Sequence, residues 1–407
     1  MSEKLKINIS PAHRVAEVKE YYFSRKLAEV AELNARGLDI VSLGIGGPDL
    51  PPDPKVVDAL CASARRDDSH GYQPFRGIAE LRRAYADFYR RRYGVELDPE
   101  REVLPLIGSK EGIMHISMAL LNPGDGVLLP DPGYPTYTAV SRLVGAKIYN
   151  YDLTPENGWR PDFEALEKLP LDDIKLMWVN YPHMPTGTPA DEELYRQLID
   201  FGRRHNIVIA HDNPYSFILN PEPRSILAVE GARDIAIELN SLSKSHNMAG
   251  WRMAMCATNP EFLSWIVKVK SNVDSGQFLP MMRGAVEALT LDTDWTDRLN
   301  AEYAARRVVA EKIMTALGCT FDPSQQGLFL WGRIPESAES SERFADDLLY
   351  GARVFITPGF IFGRQGERYI RISLCANLPR LEEALARISE SQIFNNLSKC
   401  SNLNDSK

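Results

Sequence analysis

Cysteine is scarce and badly spaced for a covalent or metallic framework. The five in 407 residues (Cys61, Cys256, Cys319, Cys375, Cys400) are odd in number and nowhere paired as Cys-x-x-Cys, which argues against a disulfide scaffold and a structural zinc and for a reducing compartment. Long apolar runs are also missing. Nothing approaches the ~18 consecutive apolar residues of a membrane span, and Met1 to Pro11 lacks the apolar core of a signal peptide, so a cytoplasmic protein is expected. Positive charge is not in excess either: the net charge is -8, and short patches such as Arg90-Arg91-Arg92 read as the solvated face of a helix, so no nucleic-acid surface is expected. Repeats and low-complexity segments are absent.

What the chain has is alternation. Short β-rich runs at Val103–Ile107, Gly126–Leu129, Ala146–Tyr151, Lys175–Asn180, Ile207–His211, Ile235–Leu239 and Met253–Thr258 are separated by amphipathic stretches such as Glu111–Leu121, Tyr134–Val144 and Asp191–His205. This is the rhythm of βαβ units around a buried, mainly parallel sheet, where ligands gather at the carboxyl ends of strands. Thr293 to Leu317 predicts one long helix with Leu299, Tyr303, Val308 and Ile313 on its apolar stripe and Gly318 at its end. Strands at Leu328–Ile334, Val354–Thr357 and Tyr369–Ser373, with helices at Ser341–Tyr350 and Pro379–Glu390, predict a smaller α+β unit. An amphipathic helix is expected near Glu20–Arg36, and a frayed tail from about Asn395.

The predicted strand ends carry the chemistry. Gly108-Ser109-Lys110-Glu111-Gly112 opens a helix whose N–H groups favour a phosphate, although Ser109 alone also reads as an ordinary N-cap. Pro132-Gly133-Tyr134-Pro135-Thr136-Tyr137 sets the flat ring of Tyr134 in a turn, for stacking or for simple burial. His211-Asp212-Asn213-Pro214-Tyr215 offers a carboxylate to keep a pyridine nitrogen protonated and a phenol three residues on, in a pattern that also serves turns. Asn240-Ser241-Leu242-Ser243-Lys244-Ser245 ends with Gly250-Trp251-Arg252: one amine for a carbonyl, hydroxyls, and a guanidinium fork for a phosphate dianion.

Ser241-x-Ser243-Lys244 with Gly250-x-Arg252 resembles the signature of the class I/II aminotransferases, fold-type-I enzymes dependent on pyridoxal phosphate, and the likeness runs from about Ile45 to Leu374. The resemblance implies an α/β fold: a large domain with a mainly parallel sheet sandwiched by helices over 46–292, and a smaller α+β domain over 293–394. Residues 1–45 would form an arm and helix joining the small domain, and 395–407 a disordered tail. It implies Lys244 as Schiff-base lysine and proton carrier, Asp212 at the ring nitrogen and Tyr215 at the phenolic oxygen. Around them it sets Ser109, Lys110, Tyr134, Asn180, Met184, Ser241, Ser243 and Arg252 as cofactor contacts. Tyr72, in Gly71-Tyr72-Gln73-Pro74, resembles the tyrosine that crosses to the neighbouring subunit's phosphate, which implies a homodimer with shared sites. Arg371 resembles the arginine that grips the substrate α-carboxylate, with Ile45 and Gly46 offering backbone beside it. No metal is implied.

One position departs from the pattern. Met184-Pro185-Thr186-Gly187 stands where the family usually has Asn-Pro-Thr-Gly, so a thioether replaces the amide that hydrogen-bonds the phenolic oxygen, with Asn180 or His183 as nearby substitutes. The activity implied is transfer of an amino group between an L-amino acid and a 2-oxo acid, with glutamate and 2-oxoglutarate as one pair. A carbon–sulfur lyase, decarboxylase or replacement enzyme of the same fold is the alternative, since one cofactor supports all of these. A regulator that only binds the cofactor is a third class, without a helix-turn-helix module here to support it. Several features, among them Lys270-Ser271-Asn272-Val273-Asp274-Ser275-Gly276, resemble the branch containing LL-diaminopimelate aminotransferases. They leave open whether Lys270 or the aromatic group Tyr21-Tyr22-Phe23 touches substrate.

Overall fold

The computed structural model describes residues 9–16 and 22–391. The expected tail, residue Tyr21 and the start of the helix expected near Glu20 lie outside them. Thirteen strands are described. Val41–Ser42 (β1) is followed by Val103–Leu106 (β2), Gly126–Asp131 (β3), Lys147–Asp152 (β4), Ile174–Val179 (β5), Val208–Asp212 (β6), Ala236–Ser241 (β7) and Ala254–Thr258 (β8). Thr320–Phe321 (β9), Phe329–Arg333 (β10), Val354–Phe355 (β11), Thr357–Pro358 (β12) and Tyr369–Ser373 (β13) complete the set.

β2 to β8 form one seven-stranded sheet in the order β2-β8-β7-β6-β5-β3-β4, parallel except for β8, which runs against both neighbours. The central strands β5 to β8 are buried almost throughout, as a sheet covered on both faces requires. Alternate side chains feed two cores. Met177, Ile209 and Met255 meet Leu81 and Tyr85 of helix Ala79–Tyr93 and Met282 of helix Leu279–Thr290. Trp178, Ala210 and Leu239 meet Ile113 and Ile116 of helix Ser109–Leu120 and Ile266 of helix Pro260–Lys270. Helix Glu192–His205 illustrates how these elements are bounded. The Asp191 side chain caps its start by accepting from Leu194 N, Glu192 and Glu193 sit in its first turn, Arg203, Arg204 and His205 in its last, and Asn206 ends it at φ 55°.

Behind the sheet, a buried carboxylate fixes β6 to β7. Glu238 is fully buried and accepts from Tyr89 Oη at 2.7 Å, Ser225 Oγ at 2.8 Å and Ile226 N at 3.1 Å, and its Oε2 lies 2.8 Å from His211 Nδ1.

The third core belongs to helix Thr293–Ala316, helix Leu378–Glu390 and a four-stranded antiparallel sheet in the order β12-β13-β10-β9. The expected stripe is off by one residue: Leu299, Tyr303 and Ile313 are buried, but Val308 is 53% exposed and Val309 faces inward. The run 354–357 is not one strand. Val354 and Phe355 pair parallel with β1, while Thr357 pairs with Arg371, so the chain changes sheets at Ile356. The arginine patch is exposed at Arg90 and Arg91, as expected, and partly buried at Arg92. Arg91 Nη2 donates to Leu289 O at 2.5 Å, and the Arg92 guanidinium lies 4.5 Å from the Phe217 ring centroid.

Arg306 occupies the buried stripe of the long helix and reaches out of it with a guanidinium fork. Nη1 and Nη2 donate to the Asp49 carboxylate at 2.6 and 3.0 Å, and Nη1 also to Leu374 O at 3.0 Å. The fork fastens segment 43–50, which carries Gly46, to the helix. Asp49 keeps a third of its side chain in water, so the loss on truncation falls below that of a fully buried pair. Arg306→Met is expected to lower unfolding stability by about 2 kcal/mol, measured by denaturant titration.

Candidate active site

The carboxyl ends of the parallel strands, together with the near edge of the four-stranded sheet, enclose a cavity of about 350 Å³. β2 delivers Ser109 and Lys110 to it, the loop after β3 Tyr134, β5 Asn180 and Met184, β6 Asp212 and Tyr215, and β7 Ser241, Ser243 and Lys244. Arg252, Arg371, Ile45 and Gly46 close the wall. All the residues expected at the chain's own site line this cavity; Tyr72, expected at the neighbouring subunit's phosphate, is 95% exposed and outside it.

Lys244 lies on the short helix Leu242–Ser245, capped by Ser241 Oγ, which accepts from Ser243 N at 3.1 Å. Its Nζ donates to the Gly46 carbonyl. Burial chiefly, with the Arg371 and Arg252 charges adding, holds the amine below the usual lysine range. A buried amine that gives up its proton easily is suited to attack a carbonyl.

Across the cavity Asp212 Oδ2 accepts from Tyr137 Oη at 3.0 Å, while Oδ1 is buried without a partner. Burial pushes this carboxyl up to about 6. An unpartnered, desolvated carboxylate oxygen calls for a cationic N–H donor, which a protonated pyridine nitrogen provides. Asn180 has other work. Its Nδ2 donates to Asp212 O at 2.5 Å and its Oδ1 accepts from Met184 N at 2.8 Å, so it holds the backbone on either side rather than standing in for the missing amide. His183 does not line the cavity, its Nδ1 lying 2.8 Å from Thr186 Oγ1.

The opposite end suits a phosphate. Gly108, not Ser109, is the N-cap of helix Ser109–Leu120, at φ 84°, and a β-carbon there would overlap the Arg252 guanidinium. Ser109 occupies the first helical position with its Oγ buried and without a partner. A helix N-terminus, an orphaned hydroxyl and an arginine fork meet at one point, as binding of a phosphate dianion requires.

Arg371, on β13, is buried. Its Nη2 donates to Gly44 O at 2.9 Å and its Nη1 to Met184 Sδ at 3.3 Å. Phe329 and Phe362 flank its guanidinium at 3.9 and 4.8 Å. These two rings belong to the site yet carry no motif that marks them in the sequence, while Tyr137, stacked on Trp178 at 5.2 Å, closes the turn motif that holds Tyr134.

A model of aminotransferase class I and II matches residues 39–388. The chain belongs to this family. Among its relatives, the LL-diaminopimelate aminotransferase of Nitratidesulfovibrio vulgaris is 40% identical over 93% of this chain and 98% of that protein, and that of Aquifex aeolicus 39% over 92% and 97%. Apo-BacF of Bacillus subtilis superposes with a TM-score of 0.90 at 37% identity over 94% of this chain and 98% of that one. A Thermus thermophilus aspartate aminotransferase mutant gives 0.87 at 26% identity, over 94% and 99%. The protein is an aminotransferase of the α/β fold-type-I class, and its cofactor is pyridoxal phosphate. The unpartnered oxygens of Asp212 and Ser109 fit that group at its two ends.

Two questions left open by the sequence are answered within the chain. Lys270 is 1% exposed and its ammonium lies 2.5 Å from Asp274 and 3.7 Å from Glu111, so it is neither solvated nor in the cavity. Asp274, Glu111 and His115 lie close enough together to hold a metal ion, but the Lys270 ammonium already provides their cation. Of the aromatic group, Phe23 lines the cavity, whereas Tyr22 packs edge-on against Phe360 at 5.3 Å.

Two outcomes are expected from this geometry. Because Asp212 binds its proton more tightly folded (about 6) than unfolded (3.8), it stabilises the cofactor-free protein fully below pH 3.8 and ceases to as pH rises through about 6. The loss amounts to about 3 kcal/mol, and unfolding titrations of Asp212→Asn should lack this part of the pH dependence. Met184→Asn restores an amide donor, so the pH midpoint of the bound cofactor's visible absorbance should fall relative to the wild type; equal midpoints in absorbance titrations would refute this.

Proposed function

We propose that the protein moves an amino group between an L-amino acid and a 2-oxo acid by a ping-pong mechanism, with glutamate and 2-oxoglutarate as one pair. The buried Lys244 amine, set between two arginines and opposite the unpartnered Asp212 oxygen, carries this reading. When bound, pyridoxal phosphate supplies a carbonyl for amines and a ring that accepts the electron pair left at the substrate α-carbon. Ser109, Ser241, Ser243 and Arg252, with the helix N-terminus and Lys110 beside them, hold its phosphate. Tyr134 lies against its ring, Asp212 keeps the ring nitrogen protonated, and Tyr215 donates to the phenolic oxygen. Arg371 grips the substrate carboxylate beside the backbone of Ile45 and Gly46. Lys244, released by the incoming amine, takes the α-proton and returns it to the cofactor's C4′ carbon.

On this reading two chains form a homodimer, and Tyr72, whose ring stands 95% exposed on one chain, reaches the phosphate of the other. Residues 46–292 act as the cofactor-binding domain and 293–394 as a smaller domain joined by 1–45. The third core supports this division, since helix Thr293–Ala316, helix Leu378–Glu390, Val41 and Leu43 share it. LL-diaminopimelate, the substrate in the relatives' names, is a candidate donor by likeness alone.

Lys244→Ala should abolish the visible absorbance of lysine-bound cofactor and lower turnover by at least about a hundredfold. The assay is oxo-acid formation dependent on 2-oxoglutarate, and retained transamination in the variant would refute the assignment.

A further inference from the structure

The wall of the cavity around Arg371 differs in chemistry from its cofactor side. The Arg371 guanidinium has the rings of Phe329, Phe362 and Phe23 at 3.9, 4.8 and 5.8 Å. A carboxylate gripped by this fork therefore presents its α-substituent to phenyl rings. Phe23 and Leu27 stand four residues apart on helix Tyr22–Ala35, so one helical face supplies two of the apolar contacts, and Ile45 lies at the rim, 46% exposed. Met184 adds a thioether where the family pattern has an amide, and its Sδ is already an acceptor for Arg371.

The charges in the cavity are committed elsewhere. Among the described residues that line it, Asp212 is the one acid, and it faces Tyr137. Lys110 adjoins Ser109 at the phosphate end, and its ammonium lies 5.9 Å from the Tyr134 ring. Among the residues of this chain, a substrate side chain ending in an ammonium finds no carboxylate beside these rings to replace its hydration. One ending in phenyl or a branched alkyl group would bury its surface against them.

We propose that the side-chain subsite takes a large apolar group, aromatic or long aliphatic, in preference to a side chain with a charged end such as that of diaminopimelate. The inference rests on Arg371 as the carboxylate grip and deepens the proposed reaction.

Two measurements on the cofactor-loaded enzyme test it. Equilibrium binding of 3-phenylpropanoate and of heptanedioate needs no turnover, since neither carries an amine. The aromatic acid is expected to bind at least about tenfold more tightly, the discrimination that a few apolar contacts supply. Half-reactions followed by cofactor absorbance should give kcat/KM for L-phenylalanine at least about tenfold above that for LL-diaminopimelate. In Phe23→Arg the ratio of kcat/KM for L-phenylalanine over L-alanine should fall about tenfold. Equal or tighter binding of heptanedioate, or a preference for LL-diaminopimelate, overturns the proposal while leaving transamination intact. Preferred binding of 3-phenylpropanoate with no conversion of any amino acid upholds the subsite and overturns the reaction.

Discussion

The site depends on a carboxylate that is never seen from the cavity. Glu238 is fully buried and accepts from a tyrosine, a serine and a backbone N–H, with His211 Nδ1 also in hydrogen-bond reach. Its bonds cross from β7 to β6, and β6 ends one residue later in Asp212. Removing any one of its partners would leave this buried carboxyl short of a hydrogen bond, so the register between these strands is held tightly. Asp212 on one strand and Lys244 just beyond the other inherit that precision. Asn180 extends it sideways by gripping the Asp212 carbonyl from the end of β5.

Two further ties bring the second sheet to the first. Arg371 reaches from β13 to Gly44 and Met184, and Arg306 holds the neighbouring Asp49 from the long helix. The same segment thus meets two guanidinium forks, one fixed on protein carboxylate and one facing the cavity. The segment also packs too closely for side chains at 44 and 46: a β-carbon would strike Phe355 at the first and Phe329 at the second.

Much of this was legible in the sequence, and the reason is chemical specificity. A lysine among hydroxyls with an arginine eight residues on, and an arginine amid the apolar residues of a strand, are costly arrangements without a ligand. Strand positions followed from β-branched runs bounded by turns, as at Tyr369–Ser373. Phe329 and Phe362 remained hidden because a phenyl ring facing a cavity and one facing a core have the same sequence pattern. Lys270 stayed open for a related reason: its partner Asp274 is four residues away on a turn, and burial depends on what packs above. Ser109 and Val308 were each displaced by a single position, within the slack of helix phase and boundary.

The bond from Lys244 to the Gly46 carbonyl joins this buried amine to the strap that borders the cavity. Arg371 reaches the same strap through the Gly44 carbonyl. The amine and the guanidinium are thus anchored to backbone oxygens two residues apart. A displacement of that short stretch would move both groups together, so their spacing is set by the strap rather than by either strand alone.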